Sequence, residues 1–399
     1  MAYIYDGLRT PFGRHAGALA SVRPDDLLAH VIKHVVARNP FAPTDYEDIV
    51  AGCTNQAGED ARNVARHAGL LAGLPVTVGG ITVNRLCGSG LAAVLDAARA
   101  INAGEGELLI AAGTESMSRA PFVMAKSESA YSREMRIFDS CIGARFPNPK
   151  VESEFGDDTM PQTADNIARA LNISRQDTDA YAARSQALYE KARAVGFFAE
   201  EILPVEVSQG RKLPPKIIAA DEHPRADSTL EVLAKLKPLA AEGVVTAGNA
   251  SGVNDGAGAL LIGSKGIGER YGLKPRAKIL AGAIAGVEPR LMGLGPVPAT
   301  AKALKRAGLS LADMDVIEIN EAFAVQVLGC AKEMGIAFDD PRLNPNGGAI
   351  AVGHPLGASG VRLALTALRQ LEASGGRYAL VSLCIGLGQG VACVIERLD

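Results

Sequence analysis

Short apolar runs that end in glycine alternate along this chain with longer Ala- and Leu-rich stretches, and that alternation predicts an α/β protein. Met1 to Asp6 reads as a first strand, Asp48 to Gly52 as a short buried one, and Glu107 to Gly113 as an apolar strand entering the turn Gly113-Thr114-Glu115-Ser116. Arg62 to Ala72 reads as a helix. A strand ending in Val83-Asn84-Arg85-Leu86 leads through Cys87 to Gly88-Ser89-Gly90 and a helix over Leu91 to Ile101.

The pattern recurs. From Ser89-Gly90 the chain runs through a helix and a glycine-containing turn to the strand Leu108-Leu109-Ile110-Ala111-Ala112-Gly113. From Ser359-Gly360 it runs through Val361 to Leu371 to Tyr378-Ala379-Leu380-Val381-Ser382-Leu383, at nearly the same spacing. A second echo precedes each segment: Asp48-Ile49-Val50 leads to Asn55-Gln56-Ala57, and Asp315-Val316-Ile317 leads to Asn320-Glu321-Ala322. Two related halves with a site in their seam account for both echoes.

Between the halves, Pro121 to about Val245 is richer in charge and proline, with helical stretches at Thr163–Ala170 and Arg175–Val195. The second helix has a capping Ser174 and a Gly196 stop. This segment reads as an insertion lying over the site, where substrate specificity is often set. The stretch Thr246 to Gly258 is too glycine-rich for an ordinary helix or strand and reads as a turn built for close approach to a ligand.

Composition narrows the class. The chain has 399 residues with 48% hydrophobic and 21% charged residues, which fits a globular rather than a disordered protein. A net charge of −3 gives no electrostatic reason to expect nucleic acid. No apolar run is long enough to span a membrane, and the start lacks the layout of a secretory signal, so a cytoplasmic location is expected. None of the six cysteines has zinc-site spacing, so reduced thiols and no metal are expected. Cys53, Cys330 and Cys393 lie in apolar stretches and read as small core residues, whereas Cys141 lies in a polar loop with no assigned role.

Three residues at glycine-rich turns point to covalent acyl chemistry. Cys87 sits where the N-terminal end of a helix favours a thiolate, and thiolates both attack thioesters and leave them readily. His354, in Gly353-His354-Pro355 before the second-half helix, is placed to take the thiol proton. Cys384 follows the matching strand in Cys384-Ile385-Gly386-Leu387-Gly388-Gln389-Gly390. There it can exchange a proton with substrate carbon while glycine N–H groups face an oxyanion. Asn320 could hold a water or an oxyanion, and Glu321 could orient His354 or Asn320.

VNRLCGSG, GNASGVNDGAG, NEAFA, NGGAIAVGHPLGASG and CIGLGQG together resemble the thiolase family over nearly the whole chain. The resemblance implies an α/β thiolase fold of two duplicated αβαβα halves forming a five-layered core. The N-terminal half would comprise residues 1–120 and 246–270, the inserted loop domain 121–245 and the C-terminal half 271–399. It implies a CoA thioester substrate, CoA as co-substrate with no permanently bound cofactor, a ping-pong reaction and a homodimer or homotetramer. Cys87 would carry the acyl group, His354 would activate it, and Cys384 would protonate or deprotonate the acetyl-CoA carbon. One oxyanion hole would be Asn320 (through a water) with His354, and the other the N–H groups of Cys87 and Gly386. Ser251 would touch the pantetheine, Arg225 would lie near the adenine, and Met160, Met292 and Phe323 would line the acyl and CoA site, with Glu321 in support.

Thr159-Met160-Pro161-Gln162 replaces the His-Met-Gly run of biosynthetic acetoacetyl-CoA thiolases. That and the stretches Gly58–Arg66 and Glu115–Met124 resemble the degradative class, and within it the 3-oxoadipyl-CoA thiolases. A dicarboxylic acyl chain would need a cation, for which Arg133, Arg136 and Arg145 are candidates. An acetoacetyl-CoA thiolase remains an alternative within the family. Ketoacyl synthases of similar fold usually pair one Cys with two His, and a non-catalytic acyl-CoA carrier would have lost a catalytic residue.

Overall fold

The computed structural model describes residues 1–398. The chain opens with β1 (Tyr3–Arg9), β2 (Gly13–Arg14) and α1 (Pro24–Ala37), then β3 (Asp48–Gly52), α2 (Val64–Leu71), β4 (Ile81–Val83), α3 (Ser89–Ala103) and β5 (Leu108–Ser116). A long excursion follows: the hairpin β6 (Phe122–Met124) and β7 (Ile137–Asp139), helices α4 (Pro149–Phe155), α5 (Met160–Leu171) and α6 (Arg175–Ala194), the hairpin β8 (Val205–Val207) and β9 (Lys216–Ile218), and α7 (Leu230–Ala234). The chain returns through β10 (Asn254–Gly263) and α8 (Lys265–Tyr271). It then runs through β11 (Ala277–Gly286), α9 (Pro296–Ala307), β12 (Val316–Ile319), α10 (Ala324–Met334), α11 (Ala349–Val352), α12 (Leu356–Ser374), β13 (Tyr378–Ile385) and β14 (Gln389–Arg397).

The strand order β12-β13-β14-β11-β1-β10-β5-β3-β4 is two copies of one arrangement joined at β11 and β1. In the first copy β3 is parallel to β5, β5 antiparallel to β10, and β10 antiparallel to β1. In the second, β12 is parallel to β13, β13 antiparallel to β14, and β14 antiparallel to β11. The join is short, with Tyr3 opposite Lys278 and Ile4 opposite Ala277. α1 covers one half-sheet and α9 the other, while α3 and α12 lie together between them. Strands β5 and β10 are buried along their whole length, which is why both read as continuous apolar runs.

α12 is apolar on nearly every side, as a helix enclosed by two sheets must be. α3 and α12 cross at the repeated Ser-Gly pairs, where no side chain fits. A Cβ on Gly90 would lie 2.5 Å from the Gly357 carbonyl oxygen, and one on Gly360 would lie 2.0 Å from the Leu91 nitrogen. This contact brings together the turns that precede the two helices. α6 begins at the Ser174 capping box and is followed by Gly196 in the left-handed region, as the sequence indicated.

Two expectations change. Of the glycine-rich stretch, only residues 246–253 are loop; Asn254 to Gly258 form the start of the buried strand β10. Glycine there makes room for neighbours, since a Cβ on Gly256 would strike the Phe12 ring at 2.4 Å. The strand before Cys87 ends at Val83, and Asn84 to Leu86 are already turn.

Gly360→Ala should destabilise the protein by about 1–3 kcal/mol or more, because backbone cannot yield as a side-chain tip can. Gly266→Ala in α8, where the nearest atom to a new Cβ is 3.4 Å away, is the control and should be neutral or stabilising. Urea denaturation of both variants checks this.

Candidate active site

The Cys87 turn is held by a serine at the start of α3. Ser89 Oγ accepts the Arg85 N–H at 2.8 Å and donates to the Leu86 carbonyl at 2.6 Å, with Leu86 held at φ +45°. Cys87 is half-buried, and its own N–H and that of Gly386 favour the ionised thiol. Burial nevertheless pushes the Cys87 thiol up to about 11, against those two donors and with Glu115 adding to the rise. The helix terminus therefore does not produce a resting thiolate, contrary to the expectation from position alone.

His354 is set by the second serine of the repeat. Ser359 Oγ donates to the Pro355 carbonyl at 3.0 Å, which leaves it to accept from His354 Nδ1 at 2.6 Å. With Oγ accepting, the proton sits on Nδ1 and Nε2 keeps its lone pair, which faces the Asn320 amide. The His354 backbone N–H donates to Asn254 Oδ1 at 2.9 Å. Gly353 before it has φ +107° with the Asn254 side chain where a Cβ would be, so only glycine serves. Burial and then the Arg362 charge pull the imidazole down to about 3. Thiol and imidazole are both neutral at rest.

Asn320 follows β12 and is fully buried; its Nδ2 lies 3.3 Å from His354 Nε2, and its Oδ1 has no partner. Cys384, near the end of β13, is buried, and its thiol is pushed far up by burial and next by the proximity of Cys87. The tight β13–β14 turn, with Leu387 and Gly388 at positive φ, presents the Gly386 N–H to Cys87. The structure thus groups Cys87 with Gly386 and Cys384, and His354 with Asn320, and the close contact of α3 with α12 sets the two groups on neighbouring turns.

The other sequence candidates spread outward. Met160, the first residue of α5, is 41% exposed, and its sulfur is 3.8 Å from where a Gly386 Cβ would be, at the rim of the site. Met292 and Phe323 are buried in the same apolar cluster as Cys384. Ser251 is half-buried with its N–H on the Ala322 carbonyl at 2.9 Å, and Arg225 is exposed on the excursion with its N–H on Gln186 Oε1 at 2.9 Å. Glu321 faces away from both residues it was expected to orient. Its carboxylate accepts from Tyr181, Ser185, Asn344 and the Ile350 N–H at 2.6–3.1 Å, tying α6 to the chain just before His354. Four donors fit one ionised carboxylate, so Glu321 is a tie rather than a partner of the imidazole.

Cys53, Cys330 and Cys393 are core residues, while Cys141 is half-buried with its thiol pushed up to about 11 by burial. Among the described residues one group could reach a common metal ion: Cys53, Asp60 and Glu115, with ligand atoms within 4.8 Å of one another. Their carboxylates already accept the N–H groups of Thr54, Asn55, Ala57, Gly58 and Gly357, so they serve as caps for loop backbone. No helix among the described residues is long and apolar enough to cross a membrane.

Ser89 and Ser359 received no role from sequence, although their recurrence in the repeat was the available signal. A thiol at a helix start in one half is matched by an imidazole at the corresponding helix start in the other, with a second thiol near the first. Residues 2–266 match the family described as "Thiolase, N-terminal domain" and residues 273–397 "Thiolase, C-terminal domain"; the chain belongs to the thiolase family and is an acyltransferase. It is 59% identical to the 3-oxoadipyl-CoA/3-oxo-5,6-dehydrosuberyl-CoA thiolase of Escherichia coli (strain K12), over 100% of this chain and 99% of that one. It is equally 59% identical to a beta-ketoadipyl-CoA thiolase of Acinetobacter baylyi, with the same coverage. The crystal structure of human mitochondrial 3-ketoacyl-CoA thiolase in complex with CoA superposes with a TM-score of 0.92 at 38% identity, covering 100% of this chain and 98% of that one.

Ser359→Ala should strand the Nδ1 proton of His354 in the interior, costing about 1–3 kcal/mol of stability. It should also slow Cys87 acylation about tenfold or more by freeing the ring, an effect rapid-quench acylation measures. The contribution of His354 to stability should also fall in acid. His354 stays neutral in the folded state down to about pH 3, whereas an unfolded histidine takes its proton near 6.5. Nothing is lost above that value, and below it each pH unit removes up to about 1.4 kcal/mol until pH 3. Buried Glu318 and Glu115, pushed up to about 8 and 7, act in the opposite direction over this range, so the slope is read as the difference between wild type and His354→Asn in urea midpoints from pH 7 to 5.

Proposed function

We propose that the chain catalyses CoA-dependent cleavage of 3-oxoadipyl-CoA, releasing acetyl-CoA and a four-carbon acyl-CoA with a terminal carboxylate. The observation that supports this chemistry is that the Cys87 turn, with Gly386 and Cys384 near its thiol, lies across the close α3–α12 contact from the His354 turn, whose ring is held through Nδ1. Cys87 Sγ attacks the C3 carbonyl while its proton passes to His354 Nε2, and the N–H groups of Cys87 and Gly386 hold the oxyanion. The C2–C3 bond then breaks. Its electron pair leaves as the acetyl-CoA enolate, whose oxygen faces Asn320 (through a water) and protonated His354, and whose carbon takes the Cys384 proton. In the second half CoA enters, gives its thiol proton to the Cys384 thiolate and attacks the acyl group. Cys87 departs as a thiolate and recovers its proton from His354. Neutral resting groups suit this route, because each proton moves with the bond change that requires it.

The names of the relatives at 59% identity support the dicarboxylic acyl chain. Of the three candidate cations, Arg133 and Arg136 are exposed, whereas Arg145 rests its guanidinium on the Asn55 carbonyl at 3.0 Å and the Thr54 carbonyl at 3.4 Å. Arg145 is therefore the favoured reader of the far carboxylate. CoA is the co-substrate and no other cofactor is required. Ser251 takes the pantetheine, Arg225 the adenine end, and Met160, Met292 and Phe323 surround the thioester. The segment 121–245 covers this site, between an N-terminal half of residues 1–120 and 246–270 and a C-terminal half from 271. A homodimer or homotetramer is supported by the apolar side chains Phe122, Met124 and Ile137 left exposed on the β6–β7 hairpin. Six free cysteines support a reducing, cytoplasmic location.

Incubation with substrate followed by mass spectrometry should find an acyl adduct on Cys87. Cys87→Ala should form none, and Cys384→Ala should accept acyl groups from simple acyl-CoA but fail in carbon–carbon cleavage. Equal loss of the adduct in both variants would refute the division of labour. Arg145→Met should lower kcat/KM for 3-oxoadipyl-CoA about 10- to 100-fold, as loss of a charged hydrogen bond predicts, and leave 3-oxohexanoyl-CoA unchanged. If the wild type does not prefer 3-oxoadipyl-CoA over 3-oxohexanoyl-CoA, the dicarboxylate assignment is wrong.

A further inference from the structure

His354 has no carboxylate on its Nδ1; the partner there is the Ser359 hydroxyl. The charge that acts on the ring is that of Arg362, one turn beyond Ser359 on α12 and 1% exposed. Arg362 Nη1 lies 3.7 Å from Oε2 of Glu318 on β12, which is fully buried. Glu318 is two residues before Asn320, so in an extended strand both side chains leave on one side. Neither Glu318 oxygen has a hydrogen-bond donor, and Nε and Nη2 of Arg362 have no acceptor.

As a brace this pair is poor. A buried guanidinium and carboxyl at 3.7 Å with four unpartnered atoms contribute little as a pair, and apolar replacements of the same volume are often as stable or more so. Its place explains it better. The reaction creates a cation on His354 in the interior, with Arg362 already there. We infer that Glu318 is a positioning residue for the reaction: it balances the Arg362 charge, so that the imidazolium formed when Cys87 gives up its proton is not opposed by an uncompensated guanidinium. The remaining charges around the pair are otherwise engaged. Glu201 and Arg9 bond to each other at 2.8 Å, Asp221 holds Arg9, and Glu321 is spent on its four donors. Burial pushes the Glu318 carboxyl up to about 8 in spite of Arg362, so the balancing charge is complete only on the alkaline side.

The inference rests on His354 as the base, and the experiment separates the two. Single-turnover acylation of Cys87 is measured in Glu318→Gln, Arg362→Met and the double variant from pH 6 to 9. Glu318→Gln should acylate about tenfold more slowly at pH 8.5 with unchanged KM for CoA. It should also lose the rise in rate through pH 8 that the wild type shows. A limb from Glu115, which burial lifts to about 7, would persist in both. The double variant, with neither charge, should recover most of the rate and melt no lower than the wild type. Arg362→Met alone should acylate at least as fast as wild type at pH 6, which keeps the test decisive if Glu318→Gln does not fold. Wild-type rates in Glu318→Gln, a double variant as slow as Glu318→Gln, or slow acylation in well-folded Arg362→Met would each overturn the inference. His354→Ala is the separate control: if it acylates normally, the assignment of the base fails, not the charge balance.

Discussion

The closeness of α3 and α12 is the constraint on which the rest of the molecule depends. Only a pair of glycines lets two helix backbones meet at Gly90 and Gly360, and the two helices carry the Cys87 and His354 turns on their N-terminal ends. Widening that contact by one methyl group would part the Cys87 turn from the His354 turn before any side chain in the site was altered. The half-sheets, by contrast, meet over only two residue pairs of β1 and β11. The halves are therefore registered through their central helices more than through their strands.

Burial at that crossing then governs the chemistry. It raises the thiols and lowers the imidazole, so the site holds its protons on sulfur until a substrate carbonyl is in place. What the protein supplies is direction. Ser89 fixes the turn that aims the thiol, and Ser359 fixes the tautomer that can accept its proton. The same position in the duplicated pattern thus serves two unlike residues, with one hydroxyl answering to backbone and the other to a ring.

Much of this was legible before any coordinates. Apolar runs and their glycine stops placed β3, β5 and α3, Ser174 and Gly196 bounded α6, and the Ser-Gly repeat exposed the duplication. The glycine motifs held Cys87, His354 and Cys384, which the fold gathers together. The failures are physical. Asn254 to Gly258 looked like a loop because glycine in a strand signals either a bend or a crowded neighbour, and the neighbour, the Phe12 ring, lies more than 200 residues away in sequence. Glu321 looked like a partner of His354 because a motif gives adjacency along the chain but not which way a side chain turns. Cys87 looked like a thiolate because a helix terminus can be read locally, whereas the desolvation that outweighs it comes from the other half of the molecule.

The protonated state of these thiols also bears on how the protein meets oxidants. Peroxides and disulfides react with thiolates, and burial that pushes the Cys87 thiol up to about 11 leaves little of it ionised at neutral pH. Cys384, fully enclosed, is more strongly guarded still. An enzyme that must keep two sulfurs side by side is thereby protected from joining them or losing one to sulfenic acid between turnovers. Cys87, half-buried rather than fully enclosed, owes its share of that protection to the proton it holds.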